Sequence, residues 1–330
     1  MDEKKITRGI YKDFANAFKQ SELYKFYGEH KDELFIGVRN NYLNLYYNCD
    51  SIAKIDYKKQ TNEVTCEIDK YYIDGKHYSK KDKEKRYKIE QSEILKQYEV
   101  IKNHSKSRGT PEKKAQSKLV LLNNGNKESN WFCIDVEYVK QFNNKNEKEK
   151  ADFNGRFDII AISTKVKPHR VALIELKYGE GAIGGNSGIF KHVDDFTKFC
   201  DKGFFESHLQ QEIIEIIKSH KELGISVPFE SPERTDITTT PEFYFITLNN
   251  NSKKENASTP QQTMAGYLFN DKRWGCKQLS RKESVESTFG DITKKDNRFY
   301  ATFLFSKETL ETLRIKDIID GPYNERIIPT

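Results

Sequence analysis

The chain has 330 residues, of which 36% are apolar, 12% aromatic and 32% charged, and 56 Lys and Arg against 50 Asp and Glu leave a net charge of +6. Eighteen Tyr and twenty-one Phe are enough to build a core, so wholesale disorder is excluded, and the length suits one elaborated domain or two. No apolar run approaches the ~18 residues of a transmembrane helix, the N-terminus lacks a signal-peptide core, and five scattered cysteines without a CxxC pair argue against a disulfide framework or a structural zinc site. The expectation is a reduced, cytoplasmic protein with no membrane partner, whose mild basicity is compatible with a polyanion.

Residues 1–30 predict helix, with Phe14, Phe18, Leu23 and Phe26 at helical spacing. From Leu34 the pattern alternates, which predicts an antiparallel meander of three or four strands reaching about Ile73. The stretch 79–118 holds thirteen Lys and Arg against six Asp and Glu, a net +7 that leaves the rest of the chain near neutral. Ile89, Ile94, Leu95, Tyr98 and Ile101 give this stretch a helical apolar stripe. It reads either as a solvated helix and loop or as a surface that follows a phosphate backbone.

The most patterned region is 119–250. LVLLNN (119–124), WFCIDVEYV (131–139), RFDIIAI (156–162), VALIELKY (171–178) and FYFITLNN (243–250) predict strands, and 191–200 and 204–224 predict helices. Helices mixed with apolar strands indicate an α/β layer structure. Segments 264–270 and 298–306 predict further strands, followed by a helix from about Lys307. The expected division is an N-terminal α+β module, a helix plus an antiparallel meander, over 1–115 and a second domain over 116–330.

Strands 156–162 and 171–177 are joined by STKVKPHR, a polar turn with a proline, and so form a hairpin. A turn centred near 166 to 167 sets Asp158 opposite Glu175, with Lys177 two residues on and therefore on the face of Glu175. In strand 131–139, Phe132, Ile134, Val136 and Tyr138 are expected on one face and Asp135 and Glu137 on the other. Carboxylates gathered from three strands repel one another, and a hard divalent cation relieves that repulsion. Mg²⁺ suits an all-oxygen set with no adjacent His/Cys group. A lysine on the same face could hold an attacking water or steady developing phosphate charge.

An acid-x-base triplet alone arises by chance roughly eight times in a chain of this composition; the weight lies in its place at the end of an apolar strand whose partner carries Asp158. Asp158, sixteen residues, then Glu175-Leu176-Lys177 resembles the signature of the PD-(D/E)xK nuclease superfamily, over about residues 115–250. The resemblance implies a restriction-endonuclease-like mixed sheet flanked by helices and Mg²⁺-dependent phosphodiester hydrolysis, with Mn²⁺ able to substitute. It makes Asp158 and Glu175 metal ligands, Lys177 the residue that positions water, and Glu137 an additional acidic ligand. Phe157 stands where many members have proline. The glycine-rich segment 179–188 and the helix after it, with Lys191, His192 and Asp195, are candidates for contact with substrate. The partner implied is nucleic acid, DNA ahead of RNA, with a homodimer or a partner protein as possible assemblies and a bacterial defence or restriction role as context. The alternative is a catalytically inactive nuclease fold that serves as a nucleic-acid-binding or scaffold module; a nucleotide-cradling loop is absent.

Overall fold

The computed structural model describes residues 8–79, 81–82, 85–142, 145–153, 155–178, 189–248, 300–305 and 325–327. Segments 179–188 and 264–270 and the helix expected from Lys307 lie outside the described residues. Among the described residues the protein is mixed α/β with two sheets, one five-stranded and antiparallel, the other six-stranded and mixed. It divides into two compact units, Met1–Lys127 with Gln211–Glu233, and Glu128–Gln210 with Arg234–Thr330. A continuous helix, Pro111–Gly125, runs through the boundary expected at 115 and 116, and the chain first passes from one compact unit to the other between Lys127 and Glu128. Among the described residues no helix is long and apolar enough to cross a membrane.

The first unit begins with two short helices, α1 (Lys12–Lys19) and α2 (Glu22–Glu29). They are separate because the Ser21 hydroxyl accepts the Tyr24 amide at 3.2 Å and so starts a new helix. Their apolar residues Phe14, Phe18, Leu23 and Phe26 are buried. Strands β1 (Leu34–Val38), β2 (Leu43–Tyr47), β3 (Asp50–Lys58), β4 (Glu63–Asp69) and β5 (Arg86–Ile89) pair in chain order, all antiparallel. Between β2 and β3, Asn48 and Cys49 have φ of 50° and 56° between the paired Tyr47 and Asp50. Two left-handed residues make the tight turn that matches the twist of a hairpin.

Helices α3 (Tyr71–Asp74), α4 (Gln91–Lys96), α5 (Tyr98–Arg108) and α6 (Pro111–Gly125) complete that stretch. The meander has one strand more than expected, because β5 forms inside the basic segment, and Ile89 belongs to that strand and not to a helical stripe. Residues 119–124 are helix, the second half of α6, and not a strand. The signal lay upstream, where Thr110 accepts the Lys113 amide at 3.3 Å and Pro111 opens the first turn.

Four cations of the basic segment are paired within the protein. Lys85 and Arg108 approach Asp69, Lys102 meets Glu33 and Glu99, and Lys113 meets Asp50. Asp50 is buried and also accepts the Ser105 hydroxyl at 3.2 Å, so it ties α5 and α6 to the start of β3.

In the second unit β6 (Trp131–Val139) is followed by α7 (Lys145–Ala151), β7 (Arg156–Ser163) and β8 (Val171–Tyr178). Then come α8 (Ile189–Asp201), a π-helical segment (Phe205–Leu209), α9 (Gln210–Glu222, mostly in the first unit), β9 (Glu242–Leu248), β10 (Tyr300–Phe305) and β11 (Glu325–Ile327). The sheet order is β11-β10-β9-β8-β7-β6. Strands β6, β7 and β8 form an antiparallel meander, β9 and β10 run parallel to β8, and β11 is antiparallel to β10. A parallel neighbour requires a crossover, and the helical stretch between β8 and β9 supplies it.

Candidate active site

Strands β7 and β8 are apolar almost throughout and buried, and against that background their charged residues stand out. The two pair from Ile159↔Ile174 to Ile162↔Val171, the register read from the sequence. The ladder stops there, although both strands continue. One step further Asp158 and Glu175 face each other, and Asp158 Oδ2 accepts the Leu176 amide at 2.8 Å. A side chain thus serves as acceptor where the partner strand no longer does.

On the other side, β6 pairs with β7 through Asp135↔Ile160, Val136↔Ile159 and Tyr138↔Phe157, which puts Glu137 opposite Asp158. Glu137, Asp158 and Glu175 therefore occupy consecutive positions across three strands. Here the expected faces need one correction. The register shifts between Cys133 and Asp135, leaving Ile134 as an extra residue, and Phe132 pairs with Ile162. Phe132 consequently falls on the face of Asp135 and Glu137, not opposite them. Glu137 itself has φ of 52°, a left-handed conformation uncommon for a residue with a Cβ. Bulges of this kind re-aim side chains beside functional sites.

Glu175 is 3% exposed and Lys177 8%. Lys177 Nζ lies 2.7 Å from Glu175 Oε1, and His192 Nε2 approaches the same oxygen at 3.0 Å. The histidine is delivered by α8, whose residues 192, 196 and 199 share one stripe. Phe196 stacks on Phe243 at 4.6 Å between centroids, Phe199 packs edge-on against Phe157 at 5.2 Å, and His192 lies 6.3 Å from the Phe245 ring. The i, i+4, i+7 spacing of a histidine with two phenylalanines was the available signal for this contact. Lys191 and Asp195, candidates for substrate contact, bond to each other at 2.7 Å along the helix.

The electrostatics follow from the crowding. Burial raises the pKa of Asp158 well above the usual carboxylate range, and Glu175 and then Glu137 push the same way, against Lys177 and the Leu176 amide. For Glu175 burial also favours the neutral acid, but hydrogen bonds and charge from His192 and Lys177 outweigh it and its pKa is lowered. The set thus holds one reluctant carboxylate beside one stabilised anion.

Among the described residues no group of three or more His, Cys, Asp and Glu side chains is set to hold a metal ion. Mg²⁺, however, often takes only one or two carboxylates and completes its octahedron with water and substrate phosphate. Asp158 and Glu175 have the hard oxygen chemistry for that, and a cation would offset the repulsion that raises the Asp158 pKa. No family model matches the chain, and no curated protein or solved structure is significantly similar to it.

Proposed function

We propose that the chain is a Mg²⁺-dependent nuclease that hydrolyses phosphodiester bonds, built on a restriction-endonuclease-like core, with DNA as the favoured substrate. The observation that carries this reading is the row Glu137, Asp158 and Glu175 across three adjoining strands, placed where β7 and β8 part, with Lys177 bonded to the last of them. The meander β6-β7-β8 followed by a helical crossover to the parallel β9 supports the same fold. In this reading Asp158 and Glu175 hold the cation, with Glu137 beside them, and Lys177 orients the attacking water. The cation, when bound, supplies Lewis-acid polarisation of the scissile phosphate and a nucleophile at neutral pH. A part in defence against foreign nucleic acid is the context we attach to this activity.

A second reading, a non-catalytic nucleic-acid-binding or scaffold module, draws on the same Glu175. Lys177 and His192 already compensate its charge without a metal. Incubation of the protein with supercoiled plasmid, single-stranded DNA and RNA, in Mg²⁺, Mn²⁺ or EDTA, separates the two. Metal-dependent cleavage of any of these supports the nuclease; binding without cleavage in every condition supports the module.

A further inference from the structure

Two cationic or donor groups converge on one oxygen of a buried carboxylate. Lys177 Nζ is 2.7 Å and His192 Nε2 3.0 Å from Glu175 Oε1. A single lysine is sufficient to pair a single glutamate, so the second donor calls for an explanation. The two come from different elements, Lys177 from β8 itself and His192 from α8, and they differ in mobility. A lysine ammonium sits on a flexible four-carbon stem. The His192 ring is short-tethered and lies beside the buried Phe245.

We infer that His192 is a positioning residue that fixes the Glu175 carboxylate for a divalent cation and keeps it aimed when Lys177 turns to substrate. The inference rests on the nuclease reading and assigns within it a task that Lys177 cannot perform alone. One of the three N–H donors of Lys177 goes to Glu175 Oε1. When the ammonium swings toward a water or a phosphate oxygen to use another, the bond to Oε1 lengthens. A buried carboxylate that lost its only donor would be left poorly compensated in an apolar strand. With His192 in place the carboxylate keeps one donor on Oε1 throughout. His192 needs only an N–H at Nε2 for this, which the neutral tautomer provides. Outer partners of this kind typically change metal affinity about 10–100-fold when removed.

The test is Mn²⁺ binding followed by electron paramagnetic resonance on the intact chain, with nucleic acid absent. Four proteins are compared, each first shown by near-ultraviolet circular dichroism to be folded: wild type, Asp158→Asn, His192→Gln and His192→Phe. Gln retains an N–H donor; Phe retains a ring beside Phe245 and removes the donor. The inference predicts that Mn²⁺ binds wild type, that His192→Phe weakens it about 10–100-fold, and that His192→Gln stays within about threefold. If His192→Phe binds as wild type does, the inference is overturned and the nuclease reading stands. If Phe preserves affinity and Gln destroys it, His192 is a packing residue and the inference is equally overturned. Absence of Mn²⁺ binding by wild type, or binding that Asp158→Asn leaves unchanged, removes the metal site itself and the inference with it.

Discussion

The Asp158 carboxylate accepts the Leu176 amide at 2.8 Å, one step past the last paired positions of β7 and β8. The acid is thereby held at the fork of two strands, beside Glu175 and opposite Glu137. Its position has a thermodynamic consequence.

Folding raises the pKa of Asp158 above the unfolded value of about 3.9. The folded state therefore binds the proton more tightly, and the stability gained from this group is full below the unfolded pKa and lost as pH rises through the folded one. Above the unfolded pKa the group therefore costs stability relative to a neutral side chain in its place. Asp158→Asn keeps an oxygen for the Leu176 amide and removes the charge. It should therefore raise the metal-free melting temperature of the second unit at pH 7 by about 2–4 °C, the shift that about 1 kcal/mol gives in a cooperative unit of about 150–250 residues, with the difference shrinking toward pH 3. Saturating Mg²⁺ should stabilise wild type and not the variant. A lower melting temperature for Asp158→Asn across the whole pH range would contradict this account.

Glu137 supplies the second prediction. Its φ of 52° costs a residue with a Cβ about 1–2 kcal/mol that glycine avoids. Glu137→Gly should be more stable than Glu137→Ala in urea denaturation, by about 1 kcal/mol, while both lower the proposed metal-dependent cleavage to a similar degree. Equal stability of the two variants would show that the left-handed backbone is not maintained in solution.

The internal pairing of the basic segment makes the third. Asp50→Ala removes the acceptor shared by Ser105 and Lys113, and should destabilise the first unit by about 1–3 kcal/mol. Two-unit unfolding monitored by urea should show the loss in one transition, with cleavage by the folded protein retained. An unchanged midpoint would count against Asp50 as the tie between β3 and the following helices.

A fourth concerns the thiols. Burial first, with Asp56 and Glu90 adding to it, pushes the Cys66 pKa up to about 12. Its thiolate is therefore scarce at pH 8, and Cys66 should react with a disulfide reagent only at the rate of unfolding. Rapid modification of Cys66 in the native protein would contradict its burial.

The hairpin β7–β8 was legible because a polar turn with a proline separates two apolar alternating runs, so the centre of the turn determines which residues face each other. That register sets Asp158 opposite Glu175. The fate of β6 was not legible in the same way. An extra residue at Ile134 leaves the composition unchanged, yet it moves Phe132 to the other face, and nothing in WFCIDVEYV announces the left-handed Glu137. Residues 119–124 misled for a different reason: four apolar residues in a row fit a strand or a buried helix equally well, and the cap at Thr110 with Pro111, nine residues earlier, decides between them. The sequence makes His192 a candidate for substrate contact and does not show that its ring approaches Glu175. The phenylalanine stripe that aims it only acquires meaning once α8 is laid on the sheet.

The central claim is that Asp158 and Glu175 together hold one divalent cation. Crystals soaked in Mn²⁺ and measured at the manganese absorption edge test it most directly. The account predicts one anomalous peak about 2.0–2.2 Å from a carboxylate oxygen of each residue, lost in Asp158→Asn crystals. A peak elsewhere on the chain, or none between these two carboxylates at saturating Mn²⁺, would contradict it.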